Sequence, residues 1–218
     1  MPWRTDPATG LALQALADQL ATAAVLAFPA GTVRRTGGES SQLPPPTRDV
    51  LLERIARELD ASLEAAKPSA DDRRKLRRLA ESVAQSVVAI EASHLRRAAM
   101  PPDVDAESST RELAGEVRHV AERVAWALGA LADPRPDSRL IGARVSISEH
   151  DALRKMIRSV LRKALPPAAP SHDDTLGNDD DAHAVFQYIA SLDRAVETLR
   201  AASDAIDALE SDVDRVRN

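Results

Sequence analysis

Cysteine is absent from all 218 residues. That excludes disulfides, zinc–thiolate sites, thiol nucleophiles and iron–sulfur ligation, and it fits a cytoplasmic protein. Aromatic residues number only five: Trp3, Phe28, Trp126, Phe186 and Tyr188. Base-stacking platforms and sugar-stacking clefts therefore lack material. Neither sign of charge dominates, since 29 Lys and Arg stand against 34 Asp and Glu for a net charge of −5. A dedicated nucleic-acid binder would carry a large basic excess, so no nucleic-acid partner is expected. Uncharged apolar runs of membrane-spanning length are also missing. The N-terminal stretch is interrupted by Asp6, Gln14, Asp18 and Gln19, which is unlike an export signal. No phosphate loop, nucleophile elbow, His-Glu-x-x-His or dinucleotide fingerprint occurs, and no spacing singles out a Ser-His-Asp triad. The expectation is a protein that is not an enzyme and holds no cofactor.

What is present suits close-packed helices. Hydrophobic residues make up 44%, mostly Leu, Val, Ile and Ala. Proline and glycine cut the chain into segments of helical period. The first runs over about 9–28 and ends at Phe28-Pro29. A polar stretch, "AGTVRRTGGESSQLPPP", follows and reads as a mobile linker. The second segment, 47–66, places Leu52, Ile55, Leu59 and Leu63 on one face. Ser69 and Asp72 form a capping-box-like start for the third, which continues to about residue 99. The short connection between these two makes them a hairpin. The fourth runs to Ala132 behind a capping box at Ser109 and Glu112, with its seam at Leu113, Val117, Val120, Val124, Leu128 and Leu131. After an irregular stretch with a short extended piece near Val145, the fifth spans 149–165 and the sixth 181–216. The predicted fold is all-α, an antiparallel bundle of five to six helices with long hairpins. Residues 1–46 are read as an N-terminal helix plus linker, and 47–218 as the bundle domain.

Four patterns invite chemistry. Glu-x-x-His occurs at Glu91–His94 and Glu116–His119, the spacing that carboxylate-bridged metal bundles use. At about 100° per residue, however, His119 lies far from its helix's seam and faces solvent. The acidic stretch "HDDTLGNDDDAH" has Gly177 but lacks the alternating oxygens and closing Glu of a calcium loop. The run "DDRRKLRR" holds five cations, yet Asp71 and Lys75 already form an i,i+4 pair, as on a solvated face. The fifth segment carries a net charge of +3 and residues 185–213 of the sixth −4, so complementary rims would favour their pairing. A basic fifth helix lying on an anionic membrane is the competing reading. The first segment has Asp18 as its one charge between Leu11 and Ala30, which marks a helix buried, facing another copy, or lying against a membrane.

The stretches "AAVLAFPAGTVRR" and "RDVLLERIARELDASLEAA", within residues 22–66, resemble the region where fusaric-acid-resistance-type exporters leave their membrane block and enter soluble helical hairpins. The resemblance implies the soluble helical part of a transport system, and this chain departs from it in having no membrane block. Helical proteins of the phosphate-signalling PhoU type share such a gross architecture, but their acidic metal motif is not found here.

The last segment holds the candidate partner site. From Val185 its seam passes through Ile189, Leu192, Val196, Leu199, Ala202, Ile206, Leu209 and Val213, a mean spacing of 3.5 residues. The fifth helix can cover only about half of that length. The second half (Ala202, Ile206, Leu209 and Val213) is therefore the expected partner-binding groove. Protein contact or self-association is the favoured function. A soluble accessory of a membrane transport or efflux system, with peripheral membrane contact, is the first alternative. A carboxylate–histidine metal bundle is the second.

Overall fold

A computed structural model describes residues 7–28, 48–98, 100, 108–132, 145–164 and 176–215. The described residues form six helices: α1 (Pro7–Ala27), α2 (Arg48–Ala66), α3 (Ala70–Ala98), α4 (Ser108–Ala132), α5 (Ile147–Ala164) and α6 (Leu176–Arg215). No strand occurs among them; most of the extended piece expected near Val145 lies outside the described residues, and Val145 itself packs into the core just ahead of α5. Local chemistry explains the ends. Lys67 takes a positive φ of 49° while its amide still donates to the Leu63 carbonyl at 3.1 Å. That left-handed residue turns the chain, and Pro68 bars the helix from resuming at once. Ser69 then caps α3: the Asp72 amide donates to Ser69 Oγ at 3.1 Å, and that hydroxyl donates to Asp72 Oδ2 at 2.7 Å. The fourth helix is already under way at Ser108, one residue before the cap expected at Ser109.

A tighter cap starts α5. Glu149 Oε2 accepts from the Ser146 amide at 2.7 Å, and the Glu149 amide donates to Ser146 Oγ at 3.2 Å. This is a complete reciprocal box. The Arg123 guanidinium of α4 donates to Glu149 Oε1 at 2.6 Å. That bond first, then the Ser146 donors, holds the Glu149 carboxyl at about 2 against an ordinary 4.5.

Side-chain contacts set the direction of every helix. Thr9 meets Ser62 while Leu16 lies beside Leu52 and Leu59, so α1 and α2 run antiparallel. Arg73 meets Glu64 and Arg77 meets Asp60, both at 2.8 Å, so α2 and α3 do likewise. Arg118 on α4 reaches the Phe28 carbonyl, while Gln14 lies against Gly129. Arg96 donates to Gln187 at 2.6 Å between α3 and the start of α6. The helices thus alternate up and down. Four of them form a ring in which α1 adjoins α3, α3 adjoins α6, α6 adjoins α4 and α4 adjoins α1. α2 lies over α1 on one side, and α5 lies over α6 and α4 on the other.

One continuous apolar core fills the ring, and α1 belongs to it. Leu13, Leu16 and Leu20 of α1 are as buried as Leu192 and Leu199 of α6. Each such leucine is worth about 1.5–3 kcal/mol when withdrawn from water. The division at residue 46 is therefore corrected: α1 is one wall of the bundle, because its low charge lets about half of its residues enter the core. Its last carbonyls are capped from afar, Ala27 by Arg97 at 3.4 Å and Phe28 by Arg118 at 3.0 Å. Cations at a helix C-terminus also suit its dipole.

Candidate functional site: an uncovered face of the first helix

The groove expected on α6 is not open. Ala202, Ile206 and Leu209 are 0%, 2% and 3% exposed and sit inside the chain's own core. Comparing α6 only with α5 misses the cover that α3 provides. The antiparallel course of α3 brings its first turns, with Leu76, Leu79 and Val83, against this half of α6. The side chain of Val213 lies outside the described residues. The sixth helix also begins at Leu176, earlier than expected, so part of the aspartate-rich stretch is its first turns.

The other sequence patterns resolve as follows. His94 and His119 are exposed, and their helices α3 and α4 occupy opposite corners of the ring. The two Glu-x-x-His motifs therefore do not converge. Among the described residues, no group of three or more His, Asp or Glu is arranged to hold a metal. The basic run on α3 meets acids: Lys75 and Arg74 pair with Asp71, Arg73 with Glu64 and Arg77 with Asp60. A cleft of about 310 Å³ opens between α2 and α3, walled by Leu52, Ala56, Leu59, Ala80 and Ala84 and crossed by the Asp60–Arg77 pair. Asp60 and Arg77 are matched with each other and Glu81 lies at the lining, so most of what the cleft offers a ligand is an apolar wall.

The α5–α6 seam shows the expected charge pairing with a twist. Arg154 donates to both Asp193 oxygens, at 3.1 and 3.3 Å, and these bonds hold the guanidinium more firmly protonated than usual. The second pair has the signs reversed, with Arg200 of acidic α6 donating to Asp151 of basic α5 at 2.7 Å. Just beyond this second pair His150, 1% exposed, meets Ser203 Oγ through Nε2 at 3.2 Å. Burial pushes the His150 imidazole below its ordinary 6.5, against the pull of Asp204. Lys155, Arg158, Arg162 and Lys163 remain exposed on the outer side of α5.

Among the described residues, exposed apolar side chains include Val88 and Leu95 on α3, and others run the full length of the outer side of α1. Leu11 is 74% and Leu26 58% exposed, with Thr22 and Val25 exposed between them and Ala15 half-buried. These positions share one stripe along roughly 22 Å of helix, apolar at its ends and polar but nearly uncharged in its middle. Asp18 is its one charge, and it accepts from Gln14 Nε2 at 2.9 Å. Outer faces of surface helices ordinarily carry several charges, so a stripe ending in exposed leucines and holding a single carboxylate is unusually apolar for a solvent-facing one. Trp126 adds to it. It projects from α4 on the side opposite the buried Val117, Val124 and Leu128 ridge, and it is exposed. The pairings of Gln14 with Gly129 and Phe28 with Arg118 place it level with about residue 18 of α1.

No protein family, no curated protein and no solved structure matches this chain.

Proposed function

We propose that the protein is a non-enzymatic helical-bundle module that works through contact with another protein surface. The exposed stripe of α1, with leucines at both ends and Trp126 at its flank, carries this reading. It supplies the aliphatic anchors and the aromatic that protein contacts favour, on a helix whose inner side is already committed to the core. A photo-crosslinking residue placed at Thr22, compared with one at Arg162 on the opposite side of the bundle, tests it in cells producing the protein. Protein adducts confined to position 22 are expected. Equal or absent adducts at the two positions overturn the reading.

A second reading makes the protein the soluble accessory of a membrane transport system. Two observations favour it: α1 is long and apolar enough by composition to cross a membrane, and α5 presents four exposed cations. Half of the apolar stretch of α1 is buried in the bundle, so crossing would require its withdrawal from the core. Lipid rather than protein adducts at position 22 would favour this reading over the first.

A further inference from the structure

We propose that the occupant of the α1 stripe is a second copy of this chain, docked with its own α1 antiparallel to the first. This rests on the reading of the protein as a contact module and names the partner.

The stripe is its own complement in size and polarity. Between Leu11 and Leu26 its midline residues are Leu11, Ala15, Asp18, Gln19, Thr22 and Leu26, with Gln14 and Val25 exposed along the edge nearer α4. Read in either direction, the midline is a leucine, a short side chain, two longer polar ones, a short side chain and a leucine. The midpoint falls between Asp18 and Gln19. A two-fold contact needs this property, because each residue i that meets j must have j meeting i. An unrelated partner places no such demand on the order of residues. With the dyad at that midpoint, Leu11 lies level with the partner's Leu26, and Ala15 lies level with the partner's Thr22. Ala15 and Thr22, seven residues apart on the same face, are short enough to let the helix backbones approach closely. The alanine methyl then meets the threonine methyl, and the leucines interleave at both ends of the contact.

The rest of the surface agrees. Trp126 stands beside the midpoint level, on the α4 flank of the stripe. A two-fold axis perpendicular to the helix pair keeps the α4 flanks of both copies on one side, so both indoles close over the centre. The Asp18 carboxylates of the two copies approach on that same flank, beside the Gln14 amides, and the Gln19 amides approach on the other. Charge at the middle of the stripe also disfavours a bilayer as the occupant. The two carboxylates repel weakly in water, so the contact strengthens with salt.

The absence of cysteine makes the register directly readable. Single-cysteine variants of the full chain, Leu11→Cys and Leu26→Cys, would each hold their thiols about 22 Å apart along the helix axis in a symmetric pair. Neither should form a disulfide-linked dimer alone under mild oxidation. An equal mixture of the two should link rapidly into a heterodimer, and Gln19→Cys, next to the dyad, should link with itself. Light scattering on the cysteine-free protein should give twice the 23.5 kDa chain mass. Thr22→Arg, on an exposed helix position, should return the monomer with unchanged helix content. Asp18→Asn should tighten the dimer roughly three- to fivefold by removing the carboxylate repulsion. A monomer at high micromolar concentration overturns the proposal, as does a dimer in which Leu11→Cys links to itself as readily as to Leu26→Cys. If these fail while position 22 still gives protein adducts, the second copy is the wrong occupant and the contact reading stands. If no protein adduct forms either, both fall.

Discussion

Two helices lie outside the central ring, and they are held in different ways. α5 is closed onto α6 by Leu153 and Ile157 beneath the surface, by the doubly bonded Arg154–Asp193 pair and by Asp151–Arg200. α2 sends Leu52, Ile55, Leu59 and Leu63 toward the core beside α1, but meets α3 mainly through arginine bridges. Between them lies the α2–α3 cleft, because Ala56, Ala80 and Ala84 are too small to fill it. The lesson concerns side-chain size. Similar helical periods and opposite charges are present on both pairs, yet only the pair with large apolar residues between its charges closes.

Truncating a buried aliphatic in each helix should break that comparison most visibly. Ile157→Ala should cost about 3 kcal/mol in urea unfolding, since its site is fully enclosed. Leu52→Ala borders an existing cleft and should cost about 1–2 kcal/mol, because less new cavity is made. Equal losses would mean that the cleft closes in solution.

Removing the bridges should give a smaller contrast. Arg154→Ala breaks a pair whose side chains are about one-fifth exposed and should cost about 1–2 kcal/mol by thermal unfolding. Arg77→Ala breaks one about half exposed and should cost less than about 0.5 kcal/mol.

Acid should loosen α5 in two stages. His150 has a folded pKa below its unfolded 6.5, so the unfolded chain binds more protons as pH falls beneath that value, and stability drops. Glu149, held at about 2 against 4.5, contributes stability above 4.5 that is lost as pH falls toward 2. Urea midpoints measured from neutral pH downward should show the first loss in the native sequence and not in His150→Gln. The smallest effect should come from Gly115→Ala on α4. A Cβ there meets no neighbouring atom, so stability should rise by up to about 1 kcal/mol.

The six helices were legible because proline, glycine and caps punctuate them, and Ser69–Asp72 works as its spacing suggests. The Ser146-Ile147-Ser148-Glu149 box carried the same signal and places the start of α5 two residues before the expected 149. The place of α1 was not legible. A helix with one charge satisfies a core, a partner or a membrane equally, and which sides are covered depends on distant chain. The α6 groove failed for the same reason, since Leu76 and Leu79 lie more than a hundred residues away from it in sequence. The scarcity of charge around Asp18 is plain in the sequence; only the packed ring shows which side of that helix is left outside.

The arginines that cap α1 bear on the order in which the chain is secured. Arg97 and Arg118 lie 70 and 90 residues downstream of the carbonyls they hold. A chain emerging from its N-terminus therefore exposes an apolar, nearly uncharged helix long before its fasteners exist. Synthesis thus delivers α1 before α3 and α4, and its last turn is fastened only when those later helices arrive.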